Sequence, residues 1–199
     1  MPSFFQKIIS LFLIIILFPV FVILHLIISI DDGFPTIFSQ KRIGKNGKIF
    51  KCYKFRSMLN NAEEILKNDE SMMKIYIENG YKIPEEFEKR YTKYGSFLRK
   101  TSLDELPQLF NVLFGQMNLV GPRPIVPNEL EHYQGEKRKD FLSMKPGMTG
   151  IWQVSGRSDL DYPDRVDFEL TYKSKRSFFF DLKILFKTFL VVINRKGVH

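Results

Sequence analysis

The stretch Ile8–Ile30, IISLFLIIILFPVFVILHLIISI, decides how this chain is organised. It runs for 23 residues, and its only polar side chains are Ser10, His25 and Ser29. A helix needs about 20 consecutive apolar residues to cross the hydrocarbon core of a bilayer, so the stretch predicts a membrane helix. It is long for a signal peptide, and no small residues spaced for cleavage precede Asp31, so we expect the helix to be retained.

Pro19 lies near the centre of this stretch. A proline inside a helix removes one backbone hydrogen bond and clashes with the preceding turn, so we expect a kink there. Two interpretations remain open: a kinked helix that crosses the membrane, or a re-entrant hairpin whose two ends stay on one face. Because Lys7 and His25 are weak orientation signals, the residues alone favour the spanning helix.

The charge and composition indicate a compartment and a kind of partner. Seven basic residues follow the stretch: Lys41, Arg42, Lys45, Lys48, Lys51, Lys54 and Arg56. Basic loops stay in the cytoplasm, so we expect the remaining chain to face it, where the single Cys52 would stay reduced. The chain has 199 residues, a formal net charge of +8 and 20 phenylalanines. It therefore predicts an anionic partner, which is nucleic acid, an acidic membrane surface or a phosphorylated substrate.

Beyond residue 32 the sequence predicts a mostly helical α+β domain. Asn46-Gly47, between runs that alternate apolar and basic residues, indicates a short β-hairpin within residues 36–58. Helical patterns cover residues 60–78, 96–118, 127–142 and 178–196. The sequence contains no internal repeat or flexible linker, so we divide the chain into a membrane anchor, residues 1–32, and one domain, residues 33–199.

The last helical segment, residues 178–196, has two interpretations. Lys183 and Lys187 share one face, while large apolar residues fill the rest. An amphipathic interfacial helix, with its rings in the acyl boundary of a membrane, would account for many of the phenylalanines. An ordinary core helix fits the pattern equally well.

Asp104 and Glu105 are the carboxylates best placed for chemistry. They follow a basic run and come shortly before Pro107. Either Ser102 and Glu105 form a capping box, or Asp104 caps a helix that starts just before Pro107. In both cases the ionised carboxylates lie at the positive end of a helix dipole, and capping alone would explain the pair in isolation.

Basic residues near the pair favour phosphoryl transfer over capping alone. The candidates are Arg99, Arg123 between two prolines, Lys54 and Arg56 at the end of the hairpin, and Arg157. Arginines clamp phosphate oxygens, and carboxylates hold Mg²⁺ or attack phosphorus. With the anchor, this set predicts a lipid-linked phosphate substrate and argues against nucleic acid, which calls for a basic aromatic patch. A membrane-tethered scaffold for polysaccharide-assembly enzymes is the alternative.

Four runs of the sequence resemble a known family. They are KRIGKNGKIFKCYKFRSM, LRKTSLDELPQLFNVLFGQMNLVGPRPIVPNELEHY, KPGMTGIWQVSGRSD and DLKILFKTFLVVINRKG. They look like the bacterial sugar transferases, the monotopic polyprenyl-phosphate phosphoglycosyl transferases, and are most similar to the undecaprenyl-phosphate hexose-1-phosphate transferases. The resemblance covers essentially the whole chain, whereas larger relatives carry an additional N-terminal membrane region of several helices.

The resemblance implies a reaction and roles for residues. A sugar 1-phosphate passes from a UDP-sugar to undecaprenyl phosphate, giving undecaprenyl-diphosphate-sugar and UMP, which begins O-antigen, capsule or exopolysaccharide synthesis. Asp104 and Glu105 match the family's catalytic dyad, whose aspartate forms a covalent phosphosugar intermediate and which contacts the required Mg²⁺. The phosphate-binding positions implied are Arg99, Arg123, Lys54 and Arg56, with Arg157 for the nucleotide or sugar.

The resemblance also implies that the anchor is re-entrant and breaks near Pro19, with the catalytic domain on the cytoplasmic face of the bacterial inner membrane. Many relatives have a serine before this proline, whereas this chain has Phe18. The serine can reconnect backbone hydrogen bonds across the break, so Phe18 bears on the angle of the hairpin.

Overall fold

The N-terminal residues form two helices joined at a sharp bend. In a computed structural model, which describes residues 1–78, 83–155 and 162–194, helix α1 spans Ser3–Ile16 and α2 spans Phe18–Asp32. The axes differ by 61°, and Pro19 lies in the first turn of α2, so the predicted kink is confirmed. The backbone N–H of Leu17 donates to the Leu13 carbonyl, and the N–H of Phe21 donates to the Leu17 carbonyl. Backbone hydrogen bonds are thus present on both sides of the break, without a serine before Pro19.

Length and composition bear on whether these helices could cross a membrane. Within the described ranges, no single helix is both long and apolar enough to span a bilayer. As a bent pair, α1 and α2 together satisfy the same criterion. Membrane insertion therefore stays a prediction at this point.

Helix α1 buries two of its polar residues. Gln6 and Ser10 are 2% and 0% exposed, whereas Phe4, Phe12 and their apolar neighbours are largely exposed. The Ser10 hydroxyl donates to the Leu109 carbonyl at 2.6 Å, and the Gln6 side-chain carbonyl accepts from the Leu119 N–H at 2.7 Å. A helix of a water-soluble protein has the opposite pattern.

The predicted hairpin is confirmed. Strand β1 (Ile37–Ile43) pairs antiparallel with β2 (Ile49–Phe55). Asn46 and Gly47 both have positive φ, 57° and 75°, as tight hairpin turns require. Alternate residues of each strand point to opposite faces, and this places different side chains of β2 in two different cavities.

Seven further α-helices, one two-stranded parallel sheet and short 3-10 turns make up the remaining regular structure of the described residues, so the predicted mostly helical α+β class is confirmed. The helices are α3 (Ala62–Asn68), α4 (Glu70–Glu78), α5 (Gly95–Lys100), α6 (Gln108–Leu113), α7 (Gly135–Ser143), α8 (Asp164–Lys175) and α9 (Phe178–Asn194). Strand β3 (Asn118–Val120) pairs parallel with β4 (Gly147–Thr149).

Two of the predicted helices are wrong in extent. The run 96–118 is divided into α5, a 3-10 turn at Leu103–Glu105, α6 and β3, because Ser102 has a left-handed backbone that no α-helix can contain. The run 127–142 is a 3-10 turn, Pro127–His132, followed by α7. The predicted helices at 60–78 and 178–196 are present, the first as α3 and α4 and the second as α9.

Asn111 of α6 closes the outer edge of β2. Its side-chain carbonyl accepts from the Tyr53 N–H at 3.0 Å, and its amide donates to the Lys51 carbonyl at 2.7 Å. An unpaired strand edge buried away from water would leave these backbone groups unsatisfied. Asn111 is fully buried and thus takes the place of a third strand.

The β3–β4 ladder fixes the segment that carries Arg123. Gly121, directly after β3, packs so closely on Gly147 that a Cβ on Gly147 would lie 2.0 Å from the Gly121 nitrogen. The Gly147 N–H donates to the carbonyl of Pro122 at 2.8 Å. Glycine at these positions permits the close approach that holds the start of the Pro122–Pro124 segment.

Helix α9 has one buried face and one exposed face. Ile184 packs in the core, and the buried Asp181 accepts from the Tyr172 hydroxyl at 2.7 Å. The exposed residues include Phe179 at 82% and Phe186 at 65%. The helix therefore contributes to the core, and it also presents an apolar face that the domain does not cover.

We predict that Asn111→Ala destabilises the fold by on the order of 2–4 kcal/mol, because two buried backbone groups lose their partner. Thermal unfolding of the purified protein would measure this. Asn128→Ala, at an exposed position, is the control and should change stability by less than about 0.5 kcal/mol. Equal unfolding midpoints for the two variants would contradict the assigned role of Asn111.

Candidate active site

The chain reverses direction immediately before the carboxylate pair. Ser102 has φ 56°, and Leu103–Glu105 form one 3-10 turn. Helix α6 begins only at Gln108, after Pro107. The expected helix caps at Ser102 or Asp104 are therefore wrong, and the pair lies in a tight turn between two short helices.

Two leucines hold this turn against the hairpin. Leu103 and Leu106, on either side of the carboxylates, pack against a buried cluster that contains Phe55 of β2 and Leu98 of α5. With the leucines directed into the core, the intervening Asp104 and Glu105 meet the side chain of Lys54 from β2.

Lys54 contacts both carboxylates. Its Nζ donates to Glu105 Oε1 at 2.7 Å and lies 3.8 Å from Asp104 Oδ2. Asp104 is 4% exposed, while the side chain of Glu105 retains 26% exposure. The structure thus brings together three of the residues that the sequence singled out, one cation and two anions.

Burial raises the pKa of Asp104 to about 6. The Lys54 ammonium opposes this rise, the Glu105 carboxylate adds to it, and the Arg99 charge opposes it. At neutral pH Asp104 is therefore ionised but more basic than an exposed aspartate. Such a carboxylate combines a negative charge with enhanced nucleophilicity.

Arg123, another predicted phosphate ligand, reaches the same small pocket as Lys54 and Glu105. Its backbone N–H donates to Glu169 Oε2 at 2.9 Å, and its guanidinium lies 5.2 Å from the centre of the Trp152 ring. The sequence predicted that the flanking prolines restrict Arg123. The structure adds two further restraints, the Trp152 ring and the buried Glu169 carboxylate.

Arg42 is a pocket residue that the sequence analysis did not assign to the site. Its guanidinium donates to the Pro124 carbonyl at 3.0 Å and to Gln40 at 2.7 Å, and it lies 3.6 Å from Glu129. Burial and the nearby Arg123 lower the pKa of Arg42, as expected when cations gather without enough anions. The alternation of side chains along a strand could have identified Arg42 from the sequence, because Gln40 and Arg42 of β1 share the hairpin face that carries Lys54. Gln108 and Gln153 also line the pocket.

The remaining predicted cations have different positions. Arg99 lies close enough to lower the pKa of Asp104 and stacks on Tyr91, 5.5 Å from the ring centre. Arg56 is buried, and its guanidinium donates to the carbonyls of Asp32 and Gly33 at 2.7 Å. The structure thus uses Arg56 to fasten the end of α2 and does not bring it to the carboxylate pair. Arg157 lies outside the described residues.

The carboxylates are also the candidate metal ligands. The described ranges contain no cluster of three or more histidine, cysteine or acidic side chains suited to a metal ion. Mg²⁺ commonly needs only one or two carboxylates, because substrate phosphates and water complete its shell. The adjacent Asp104 and the partly exposed Glu105 fit that donor set.

Comparisons with known proteins agree on one family. A family model described as bacterial sugar transferase matches residues 1–195. An undecaprenyl-phosphate galactose phosphotransferase of Salmonella typhimurium is 46% identical over 198 residues, which are 98% of this chain and 41% of that protein. A UDP-glucose:undecaprenyl-phosphate glucose-1-phosphate transferase of Klebsiella pneumoniae is 37% identical, over 91% of this chain and 37% of its own length. The exopolysaccharide production protein ExoY of Sinorhizobium fredii is 40% identical over 98% of this chain and 86% of its own length. The chain thus spans about two fifths of the first two relatives.

We predict that Asp104→Asn stabilises the metal-free protein at pH 7 by on the order of 3 kcal/mol, because an ionised buried carboxylate is removed. The pKa of Asp104 in the folded chain exceeds the ordinary value of 3.8. At a pH between these two values the folded chain therefore binds more protons at Asp104 than the unfolded chain does. The wild type should therefore gain stability as the pH falls from about 6 to about 4, and its difference from the variant should shrink.

Thermal unfolding in the presence of a chelator, at pH 7 and pH 4.5, would measure this difference. Asp164→Asn, at an exposed position on α8, is the control and should show no such dependence. A variant less stable than wild type at both pH values would contradict the burial cost assigned to Asp104.

Proposed function

Because the chain belongs to the bacterial sugar transferase family, we propose that it transfers a sugar 1-phosphate from a UDP-sugar to undecaprenyl phosphate. The products are undecaprenyl-diphosphate-sugar and UMP. The observation that carries this proposal is that Lys54 contacts both Asp104 and Glu105 and, together with Glu105 and Arg123, lines one pocket. Cations beside a reactive carboxylate are the groups that phosphoryl transfer needs.

The proposed chemistry proceeds in two displacements. An oxygen of the Asp104 carboxylate attacks the β-phosphorus of the UDP-sugar, and the bond from that phosphorus to the bridging oxygen breaks, releasing UMP. An oxygen of the lipid phosphate then attacks the same phosphorus, which is now bonded to Asp104. The bond between this phosphorus and the Asp104 oxygen breaks, and Asp104 is again a free carboxylate. Glu105 makes the shorter bond to Lys54, so Asp104 keeps more of its basicity for the attack.

The cations of the pocket would hold the substrates' phosphates. Lys54 and Arg123 line the pocket, and Arg42 adds a third positive charge that Glu129 and Gln40 hold in place. Guanidinium groups bind phosphate oxygens through paired hydrogen bonds, and partial burial strengthens these contacts. Arg157 stays a predicted contact to the nucleotide or sugar.

Mg²⁺ is part of the proposal. Asp104 and Glu105 would hold it, and when bound it would neutralise charge on the diphosphate of the donor. Glu105 has the exposed carboxylate that could reach a metal and a substrate phosphate together, while Lys54 would continue to neutralise the pair.

We place the protein on the cytoplasmic face of the bacterial inner membrane, with α1 and α2 as a re-entrant anchor. Both arms of the bent pair pack against the same domain: Gln6 and Ser10 of α1 bond to β3 and α6, and Arg56 fastens the end of α2. This shared packing supports a chain that returns to the side from which it entered. The exposed apolar faces of α1, α2 and α9 would then lie in lipid, which makes α9 interfacial.

The relatives suggest the sugar and the pathway class. The Salmonella relative is named for galactose, the Klebsiella relative for glucose, and the Sinorhizobium relative for exopolysaccharide production. UDP-galactose and UDP-glucose are therefore the first donors to test, and we propose that the reaction initiates a surface polysaccharide.

We predict that Asp104→Asn lowers turnover by at least about a thousandfold, because the attacking group is lost. UMP release from purified protein, undecaprenyl phosphate, Mg²⁺ and a panel of UDP-sugars would measure this. Asp164→Asn should behave as wild type, and wild-type kinetics should be ping-pong. Full activity in Asp104→Asn would refute the nucleophile, and absence of UMP from every donor would favour the scaffold.

The anchor has its own test, in which a single-cysteine protein carries Ser3→Cys at the exposed start of α1. If the anchor is re-entrant, an impermeant thiol reagent should label this cysteine in spheroplasts only after the membrane is permeabilised. Lys48→Cys in the exposed hairpin turn is the control for the cytoplasmic side. Labelling of Ser3→Cys in intact spheroplasts, with Lys48→Cys protected, would mean that the helix pair crosses the membrane.

A further inference from the structure

A second cavity, of about 340 Å³, lies between α2, the β-hairpin and α6. Its walls include Phe21 and Val22 of α2, Tyr53 and Phe55 of β2, and Phe110 of α6. It shares no lining residue with the pocket of Lys54 and Arg123. The chemistry proposed above does not use it.

The walls of this cavity suit an apolar chain. Phe21 lies 5.7 Å, between ring centres, from both Phe55 and Phe110, so three aromatic rings form a continuous wall. His25 is one of the few polar groups in the lining, and its Nδ1 is 2.7 Å from the Thr36 hydroxyl, so this atom already has a partner. The volume is at the lower end of the roughly 300–1,000 Å³ typical of ligand sites, which fits part of a long lipid.

The cavity adjoins the catalytic pocket through two shared elements. Glu105 and Gln108 line the catalytic pocket, while Pro107 and Phe110 line the cavity, so neighbouring residues at the start of α6 line both. Strand β2 does the same, since Lys54 faces the catalytic pocket and its neighbours face the cavity.

The cavity also opens towards the exposed apolar surface of the anchor. Val22, Ile37 and Phe114 line it and are 41%, 38% and 62% exposed. Leu26, one helical turn after Val22 on the same side of α2, continues this exposed apolar surface beyond the cavity. A chain that lies along α2 could enter the cavity without crossing a polar surface.

We propose that this cavity binds the isoprene units nearest the phosphate of the polyprenyl acceptor, which places its phosphate beside Lys54. The inference rests on the proposed function for the identity of the acceptor. Charge complementarity favours this occupant over a zwitterionic phospholipid such as phosphatidylethanolamine, because the pocket that adjoins the cavity is lined by Arg42, Lys54 and Arg123 and a phosphate monoester has a net negative charge. The cavity thereby becomes a determinant of which lipid phosphates are accepted.

The test narrows the cavity and leaves its surroundings intact. Val22→Trp should raise the KM for undecaprenyl phosphate about tenfold, as expected if about two methylene contacts are lost. The burst of UMP that Val22→Trp releases without acceptor reports on the donor half-reaction alone and serves as the internal reference. Ile23→Trp, the next residue of α2 and exposed outside the cavity lining, is the matched control and should leave the KM unchanged. An unchanged KM in Val22→Trp, or an equal rise in both variants, would overturn the proposal.

A second measurement uses the wild-type chain and does not depend on folding of a variant. Farnesyl phosphate with a photoreactive group on its chain should label α2 or Phe110–Phe114, and undecaprenyl phosphate should suppress the labelling. Equal suppression by phosphatidylethanolamine, or labelling elsewhere, would overturn the proposal. If no UDP-sugar yields UMP, the proposed reaction fails, and the labelling result still decides whether the cavity binds prenyl phosphates.

Discussion

The outer edge of strand β2 has to be closed, and most of the site follows from how Asn111 closes it. The amide of this side chain satisfies the backbone of Lys51 and Tyr53, so α6 must lie along the strand. The chain that enters α6 then passes the end of the hairpin, which brings Asp104 and Glu105 to Lys54. A backbone hydrogen-bonding requirement thus sets the geometry of the charged site.

The charges at this site are unequally neutralised, and that inequality bears on both stability and chemistry. Lys54 bonds to Glu105 at 2.7 Å and is more than 1 Å farther from Asp104, which is the more deeply buried carboxylate. Burial raises the pKa of Asp104, because it disfavours the charged form, and the ionised carboxylate therefore costs the folded state stability at neutral pH. Active sites commonly carry such a cost, because a fully neutralised carboxylate would be a poor nucleophile.

Features with local causes were predictable from the sequence, and features that depend on distant partners were not. The hairpin follows from the turn preference of Asn46-Gly47, and the bend of the anchor follows from Pro19. Arg56 looked equivalent to Lys54 because both leave the same strand, yet it turns to the carbonyls of Asp32 and Gly33. Only the packing of α2 against the hairpin determines that difference.

Successive side chains of strand β2 point alternately to two different kinds of surface. Cys52 and Lys54 face a pocket that holds charges, whereas Tyr53 and Phe55 face a cavity walled by rings. The acceptor in the proposed reaction, a lipid phosphate, has the same division between an anionic head and an apolar chain. A two-stranded hairpin can present both surfaces because α6 closes its outer edge. Its two faces therefore do not both have to be buried in the hydrophobic core. Helix α1 has a similar division, because Gln6 and Ser10 are buried against the domain while its phenylalanines form an apolar surface that the domain does not cover.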